Sequence, residues 1–412
     1  MKKYVALIFA IAMLIFVMPA MEVQAAAPAA PIDAKQTVSI ETGFRVQWSP
    51  VQGATQYFYS FSADDKTYTP ESPTGNGGKE NLVNIINADV LKPGTFYYVK
   101  IRAYNGSEYS TAVKVKAATA PLAPKTITQT AATSTTATLT WDVSAGATGY
   151  IVRFGTSAGK AKDITTIGTT PSCKLTGLEP DSKYYIAIFP IVRVTKDFYA
   201  SQNGVDNAKV VTTAAGVKDV KMADWDVKNN ILMFSWDNTV KYENGYELEL
   251  SKPDGTLLKK YNISGTRAKM RAFVTKKVKN TPFQYRMRSY TMLAGEKNYG
   301  DWSAYGYAVP QANVTAKKVS NTSVQLTWSK VAGAKSYTIY RATKEGGKYK
   351  KLATVKKTKY KAKKLKAYKD YYFYVRANKV NIGGKNRNST TLETPNYINV
   401  YIYKYQDKVS VN

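Results

Sequence analysis

The chain has 412 residues, enough for two to four domains, and carries 59 Lys and Arg against 29 Asp and Glu, a formal net charge of +30. It contains no histidine and one cysteine, Cys173, which removes Ser-His-Asp and Cys-His catalysis, most zinc sites and any disulfide within the chain. Its hydrophobic residues lean towards Val, Ile and Tyr, and 32 Tyr mark a chain of strands rather than helices.

The first 25 residues stand apart. Lys2 and Lys3 open them, an apolar run follows from Tyr4 to Pro19, and Val23, Gln24 and Ala25 supply a small-residue cleavage site. This reads as a secretory signal peptide over 1–25, with a membrane anchor as the competing reading. The run is short and ends at a proline, which favours cleavage. No other stretch approaches the ~20 apolar residues that a spanning helix needs. An exported chain without disulfides or a lipid-attachment cysteine fits bacterial secretion.

Beyond the leader the sequence repeats. Trp48, Trp141, Trp236 and Trp328 lie 93, 95 and 92 residues apart, and Tyr57, Tyr150, Tyr246 and Tyr337 follow them at offsets of 9, 9, 10 and 9. A second anchor recurs in step. Leu91, Leu178 and Leu365 each precede a tyrosine by six residues, at Tyr97, Tyr184 and Tyr371; in the third unit Tyr285 takes that place and Lys279 stands where the Leu should be. The units are 26–119, 120–215, 216–310 and 311–412, each close to the ~100 residues of a β-sandwich.

Each unit reads as short strands. Phe44, Val46 and Trp48 alternate with polar neighbours, as do Ala137, Leu139 and Trp141, and Val324, Leu326 and Trp328. Tyr97, Val99, Ile101 and Ala103 point one way; Tyr98, Lys100 and Arg102 point the other. Tyr337, Ile339 and Arg341 are expected to share a face. Cys173 falls where a small buried side chain is wanted. Asp64 to Gly78 reads as a solvated polar loop, too loosely spaced in carboxylates for calcium.

The early Trp, the Tyr after it and the Leu-x-Pro-x-x-x-Tyr corner resemble the fibronectin type III domain, over nearly all of the chain beyond the leader. The resemblance implies an all-β chain of four tandem fibronectin type III-like (Ig-like) β-sandwich domains after a signal peptide, each of seven strands in two sheets. It places Trp48, Trp141, Trp236 and Trp328 and the corner residues Tyr97, Tyr184, Tyr285 and Tyr371 in the cores. A buried tyrosine hydroxyl needs a partner, and the backbone upstream can supply one. Short linkers at Thr119 to Pro124 and Ala308 to Ala312 suggest a semi-extended string.

The third unit carries a smaller constellation. Arg286 and Arg288 lie on the outward face of one strand, and the Trp-Ser at Trp302 resembles one seen in many fibronectin type III domains, where the indole stacks on arginines. Trp302 is expected where the next strand starts, as a structural stack or a ligand platform. Trp225 has no clear partner in sequence.

Charge climbs along the chain, from +1 in residues 26–119 to +3, +6 and finally +19 in residues 311–412. Within the last unit, Lys348 to Asp370 holds 11 Lys in 23 residues. Lys359, Lys361 and Lys363 share an outer face if Tyr360 points inward; Lys350, Lys351, Lys356, Lys357 and Lys364 extend the ridge. A solubility surface and a polyanion-binding surface are both open. Lys rather than Arg favours loose phosphate attraction, and no base-reading motif indicates sequence-specific nucleic acid binding.

The expected function is a non-catalytic secreted or cell-surface adhesion or scaffold protein, with no cofactor and no metal. Its partners are expected to be an anionic cell-wall polymer, a polysaccharide or another surface protein. The chain ends without a sortase-type tail, so retention on the cell is expected to be non-covalent. A carbohydrate-binding accessory protein is the alternative, and calls for a row of solvent-facing Tyr or Trp on one sheet. An enzyme would need a carboxylate pair in a cleft.

Overall fold

The computed structural model describes residues 26–157, 160–196, 199–201, 205–226, 229–237, 239–265, 270–390, 395–403 and 409–411. The signal peptide expected over 1–25 lies outside the described residues. The chain is all-β, and each repeat pairs a three-stranded sheet with one of four or five strands. By contact it forms two compact units. One is built on the chain up to Ala123 with Ser144–Tyr150 and Phe189–Asn203, the other on Pro124–Val143, Ile151–Ile188 and Gly204–Asn412.

In the first unit, Ile32–Ile40, Gly43–Ser49 and Leu82–Ile86 form one sheet, and Ser72–Pro73, Gln56–Ser62, Phe96–Tyr104 and Val113–Ala118 the other. These are the seven strands expected. Phe44, Val46 and Trp48 face Tyr97, Val99, Ile101 and Ala103 in one core, because period-two alternation gives each sheet a single apolar face. The polar loop from Asp64 is more ordered than its sequence suggests. The Asp64 carboxylate accepts the amides of Lys66 and Thr67, and those bonds hold its pKa down at about 2.

In the second unit, Ala137–Trp141 lies between Ser172–Leu175 and Ile127–Ala132, and Cys173 is buried on the inward side. The third repeat sets Lys221–Asp226, Ile231–Ser235 and Met270–Val274 against a sheet centred on Gly245–Ser251 and Phe283–Leu293. The fourth sets Val314–Ser320, Ser323–Trp328 and Lys359–Ala362 against Lys350–Val355, Ser336–Ala342, Asp370–Asn378, Ile398–Ile402 and Val409–Val411. It adds a hairpin, Val380–Ile382 with Lys385–Arg387, beyond the seven expected strands.

The recurring Trp, Gly-Ala and Tyr make one local device. Gly53, Gly146 and Gly333 occupy left-handed backbone at φ of 78, 75 and 75°. They close turns in which the amides of Ala54, Ala147 and Ala334 donate to the carbonyls of Val51, Ser144 and Val331. The amides of those same three residues donate to the hydroxyls of Tyr57, Tyr150 and Tyr337, at 2.7, 3.1 and 2.9 Å. The third repeat lacks the glycine, and there Tyr246 donates to the Glu243 carboxylate at 3.2 Å. The edges of Tyr57, Tyr246 and Tyr337 meet Trp48, Trp236 and Trp328 at 5.4, 5.4 and 5.6 Å between ring centres.

The corner tyrosines show the same economy. Tyr97, Tyr184 and Tyr371 accept the amides of Lys92, Glu179 and Lys366 at 2.8, 2.8 and 2.9 Å, beneath the buried Leu91, Leu178 and Leu365. The third corner differs. Val278, not Lys279, fills the leucine's place, because a 3₁₀ turn over Lys276–Val278 moves the apolar residue back by one. Tyr285 then accepts the amide of Met222, on the repeat's first strand, at 3.1 Å. Trp225 has a partner after all, the ring of Phe283 at 5.3 Å. Arg341 continues the face of Tyr337 and Ile339 as expected, opposite the buried Phe373, and is half-buried at the end of that face with its guanidinium 5.4 Å from the Tyr371 ring centre; the register shift beside it lies in the partner strand, Lys350–Val355.

The third and fourth repeats of this unit are joined directly. Asn396 donates to the carbonyl of Trp225 at 2.8 Å, and the amide of Ala332 to the carbonyl of Asn280 at 3.0 Å. Ala308 packs in the third core and Val309 in the fourth. Gly383, at φ 60°, lies against Tyr307, where a Cβ would stand 2.3 Å from the ring.

Candidate functional site

Two surfaces carry chemistry that the cores do not need. The first is the outer face of the larger sheet in the third repeat. Gly245–Ser251 runs beside Phe283–Leu293, pairing Glu247 with Arg288 and Glu249 with Arg286. Arg288 holds Glu247 at 2.9 Å and Arg286 holds Glu249 at 2.8 Å, while Lys260 approaches both carboxylates at 3.4 and 3.3 Å. Trp302 lies with both guanidinium carbons 4.3 Å from its ring centre. Tyr299 extends the stack beyond Arg288 at 3.6 Å and Tyr305 beyond Arg286 at 5.0 Å.

Trp302 is not at a strand start. It sits between Glu296–Tyr299 and Gly306–Ala308, two pieces that pair separately with Phe283–Leu293. The interruption lets the indole turn back over the arginines. The ring is half-buried and packs against both guanidinium groups. Sequence reasoning found the arginines and the indole but missed Glu247 and Glu249. The signal was present: two acids at alternate positions in "YELEL", matching two arginines at alternate positions in "YRMRS".

The second surface belongs to the fourth repeat. All eight lysines named from the sequence are exposed. They do not form one ridge. Lys350 and Lys351 are on Lys350–Val355, an edge strand of the five-stranded sheet, whereas Lys359 and Lys361 are on Lys359–Ala362, the edge strand of the three-stranded sheet. Lys356 and Lys357 lie in the link by which the chain crosses between sheets, and Lys363 and Lys364 follow the second strand. Tyr360 packs against the core as expected. None of the eight forms an ion pair among the described residues. The two described carboxylates of this repeat, Glu345 and Asp370, both belong with the five-stranded sheet: Glu345 takes the hydroxyl of Tyr397, and Asp370 pairs in register with Tyr401.

The five-stranded sheet also carries the row of aromatics that comes nearest to a sugar platform. Tyr340 and Tyr374 stack at 4.7 Å with 8° between their planes, and Tyr349 meets Tyr374 edge-on at 4.9 Å. Desolvation pushes the Tyr349 hydroxyl up to about 12. Only Tyr340 and Tyr374 meet face to face, and all three rings are half-buried. Cys173 has its thiol pushed up by burial, away from the reactive thiolate. Among the described residues no group of three or more His, Cys, Asp or Glu is placed to hold a metal ion, and no helix is long and apolar enough to cross a membrane.

The geometry defines tandem β-sandwiches of the fibronectin type III kind. Residues 122–200 and 308–394 match the model of the fibronectin type III domain family. Tenascin-N of Mus musculus is 28% identical over 223 residues, 52% of this chain and 13% of that protein. Contactin-2 of Homo sapiens is 24% identical over 225 residues, 48% of this chain and 20% of that protein. The chain thus spans a fifth or less of the length of these relatives. Among solved structures, the FN1–FN3 domains of chicken CNTN1 are matched over 69% of this chain and 99% of that one, at 15% identity and a TM-score of 0.30.

Proposed function

We propose that this protein is a non-catalytic adhesion or scaffold protein exported by a bacterial cell, and that its fourth repeat attaches to an anionic polymer at or around the cell wall. The likeness to tenascin and contactin modules supports the scaffold reading, and the basic, apolar leader over residues 1–25 supports export. The carrying observation is the fourth repeat itself: a net charge of +19 with eight exposed lysines that form no ion pair among the described residues. Like charges so arranged repel until a polyanion or salt screens them.

The test uses the full chain and a fluorescent DNA duplex as a generic polyanion. With about five phosphates neutralised, the log–log salt slope is expected near −4.5, roughly a 500-fold loss of affinity between about 50 and 200 mM salt. A variant with Gln at positions 350, 351, 356, 357, 359, 361, 363 and 364 should lose most of the binding and most of the slope. Equal binding by that variant would show the lysines to be a solvated surface and remove the reading.

A further inference from the structure

The sandwich separates two lysine groups that the sequence runs together, and only one of them has surroundings suited to an anion. On the three-stranded sheet, Lys361 is opposite Gln325, and Gln325 is opposite Lys317. One row along, Lys359 is opposite Thr327, and Thr327 is opposite Thr315. The outward face is therefore three cations among neutral hydrogen-bonding side chains, with Lys363 continuing the line past the end of Lys359–Ala362. The strands Val314–Ser320, Ser323–Trp328 and Lys359–Ala362 contain no Asp or Glu. Lys350 and Lys351, by contrast, lie on the sheet with Glu345, Asp370 and the tyrosine stack.

We propose that the exposed face of this three-stranded sheet is the polyanion seat, with Lys317 as a cation alongside Lys359, Lys361 and Lys363, and that its ligand is a flexible phosphodiester-linked polymer. The inference rests on the polyanion reading above and narrows it to one face and one chemistry. Lys359 and Lys361 are roughly 6.6 Å apart along the strand, two residues at ~3.3 Å. That step suits successive phosphates of an extended phosphodiester strand, whose many rotatable backbone bonds let each phosphate settle on a lysine. Lys317 lies two interstrand spacings from Lys361, about 10 Å, so it meets a phosphate that strays to the side rather than the next one in line. A compact ammonium attracts phosphate without demanding a planar, two-pronged partner. The paired hydroxyls of Thr315 and Thr327, 2.8 Å apart, add neutral donors between the cations.

The experiment compares four forms of the full chain: wild type, Lys317→Gln/Lys359→Gln/Lys361→Gln, Lys350→Gln/Lys351→Gln, and the eight-lysine Gln variant described above. The probes are oligothymidylate, a single phosphodiester strand, and polygalacturonate, a carboxylate polymer. Four contacts on the single strand give an expected slope near −2.8, at ~0.7 per phosphate. The triple variant should lose about 2 of that slope, while the double variant keeps its affinity within about threefold and its slope within about 0.7. Wild type should prefer oligothymidylate to polygalacturonate at least tenfold at equal charge concentration. A double variant as impaired as the triple would overturn the seat. Equal affinity for polygalacturonate would overturn the phosphodiester assignment. Oligothymidylate binding that the eight-lysine variant retains in full would overturn the polyanion reading itself, and the seat with it. All these positions are exposed, so unchanged circular dichroism melts separate lost binding from lost folding.

Discussion

Replacing Arg288 by Ala should be among the costliest changes on the surface of the third repeat. Its guanidinium lies 3.6 Å from the ring centre of Tyr299 and 4.3 Å from that of Trp302, and each such contact contributes about 1 kcal/mol when partly desolvated. Its Nε and Nη2 also donate to Oε1 of Glu247 at 3.1 and 2.9 Å. Glu247 is 5% exposed, so removing the arginine leaves a buried carboxylate with Lys260 as its remaining ion-pair partner among the described residues. Breaking a buried pair from one side costs about 3–5 kcal/mol; the remaining lysine should hold the total near 3 kcal/mol. Several domains do not unfold as one transition, so the readout is native-state hydrogen exchange along Phe283–Leu293, read against urea. Adding Glu247→Gln to Arg288→Ala should recover at least about 1 kcal/mol, because the stranded charge is then gone. Trp302→Ala, which removes the indole and leaves the ion pairs, should cost about 1–2 kcal/mol. A loss below about 1 kcal/mol for Arg288→Ala, or no recovery in the double variant, would refute the view that the buried charge dominates the ladder.

The corner tyrosines make different contacts, and exchange should resolve them. Tyr371→Phe should cost about 1–2 kcal/mol and deprotect the amide of Lys366, five residues upstream, whereas Tyr285→Phe should cost as much but deprotect Met222, far away on the repeat's first strand. Deprotection of the local corner in both would contradict the rewired third repeat. Glu243 gives a pH dependence. Burial holds its carboxyl above its ordinary value of 4.5, so the folded state keeps the proton more tightly than the unfolded one. That contribution is full below 4.5 and is lost as pH rises through the folded value. The third repeat should weaken over that rise, and Glu243→Gln should flatten the urea midpoint against pH. An unaltered profile in that variant would assign the dependence to other groups.

The cores were legible because a Trp, a Leu and two Tyr per repeat each answer a local demand. A turn needs glycine, a strand needs alternation, and a buried hydroxyl needs an amide. Where one demand was met differently, the reading slipped. Val278 stands one residue before its expected place because the chain tightens into a 3₁₀ turn there, and nothing in Lys276–Val278 announces that turn. The ladder was half legible. Arg286, Arg288 and Trp302 are close in sequence, but Glu247 and Glu249 reach them only through strand pairing, 41 and 37 residues away. The lysines were legible as charge and misread as shape. Consecutive strands of a sandwich often lie in opposite sheets, so Lys351 and Lys359 part company across the link, while Lys317 joins Lys361 from more than forty residues upstream.

The joint between the third and fourth repeats has a mechanical consequence. Tension carried along the chain does not fall on the peptide bond between Ala308 and Val309 alone. It is shared with the Asn396 and Ala332 hydrogen bonds and with Tyr307 seated on Gly383, at a position where any side chain would hold the two surfaces apart. Such a splice yields by shearing several contacts together rather than by bending at one linker. The two modules therefore take up load as a single stiff segment first and as separate extensible springs only after the splice gives way.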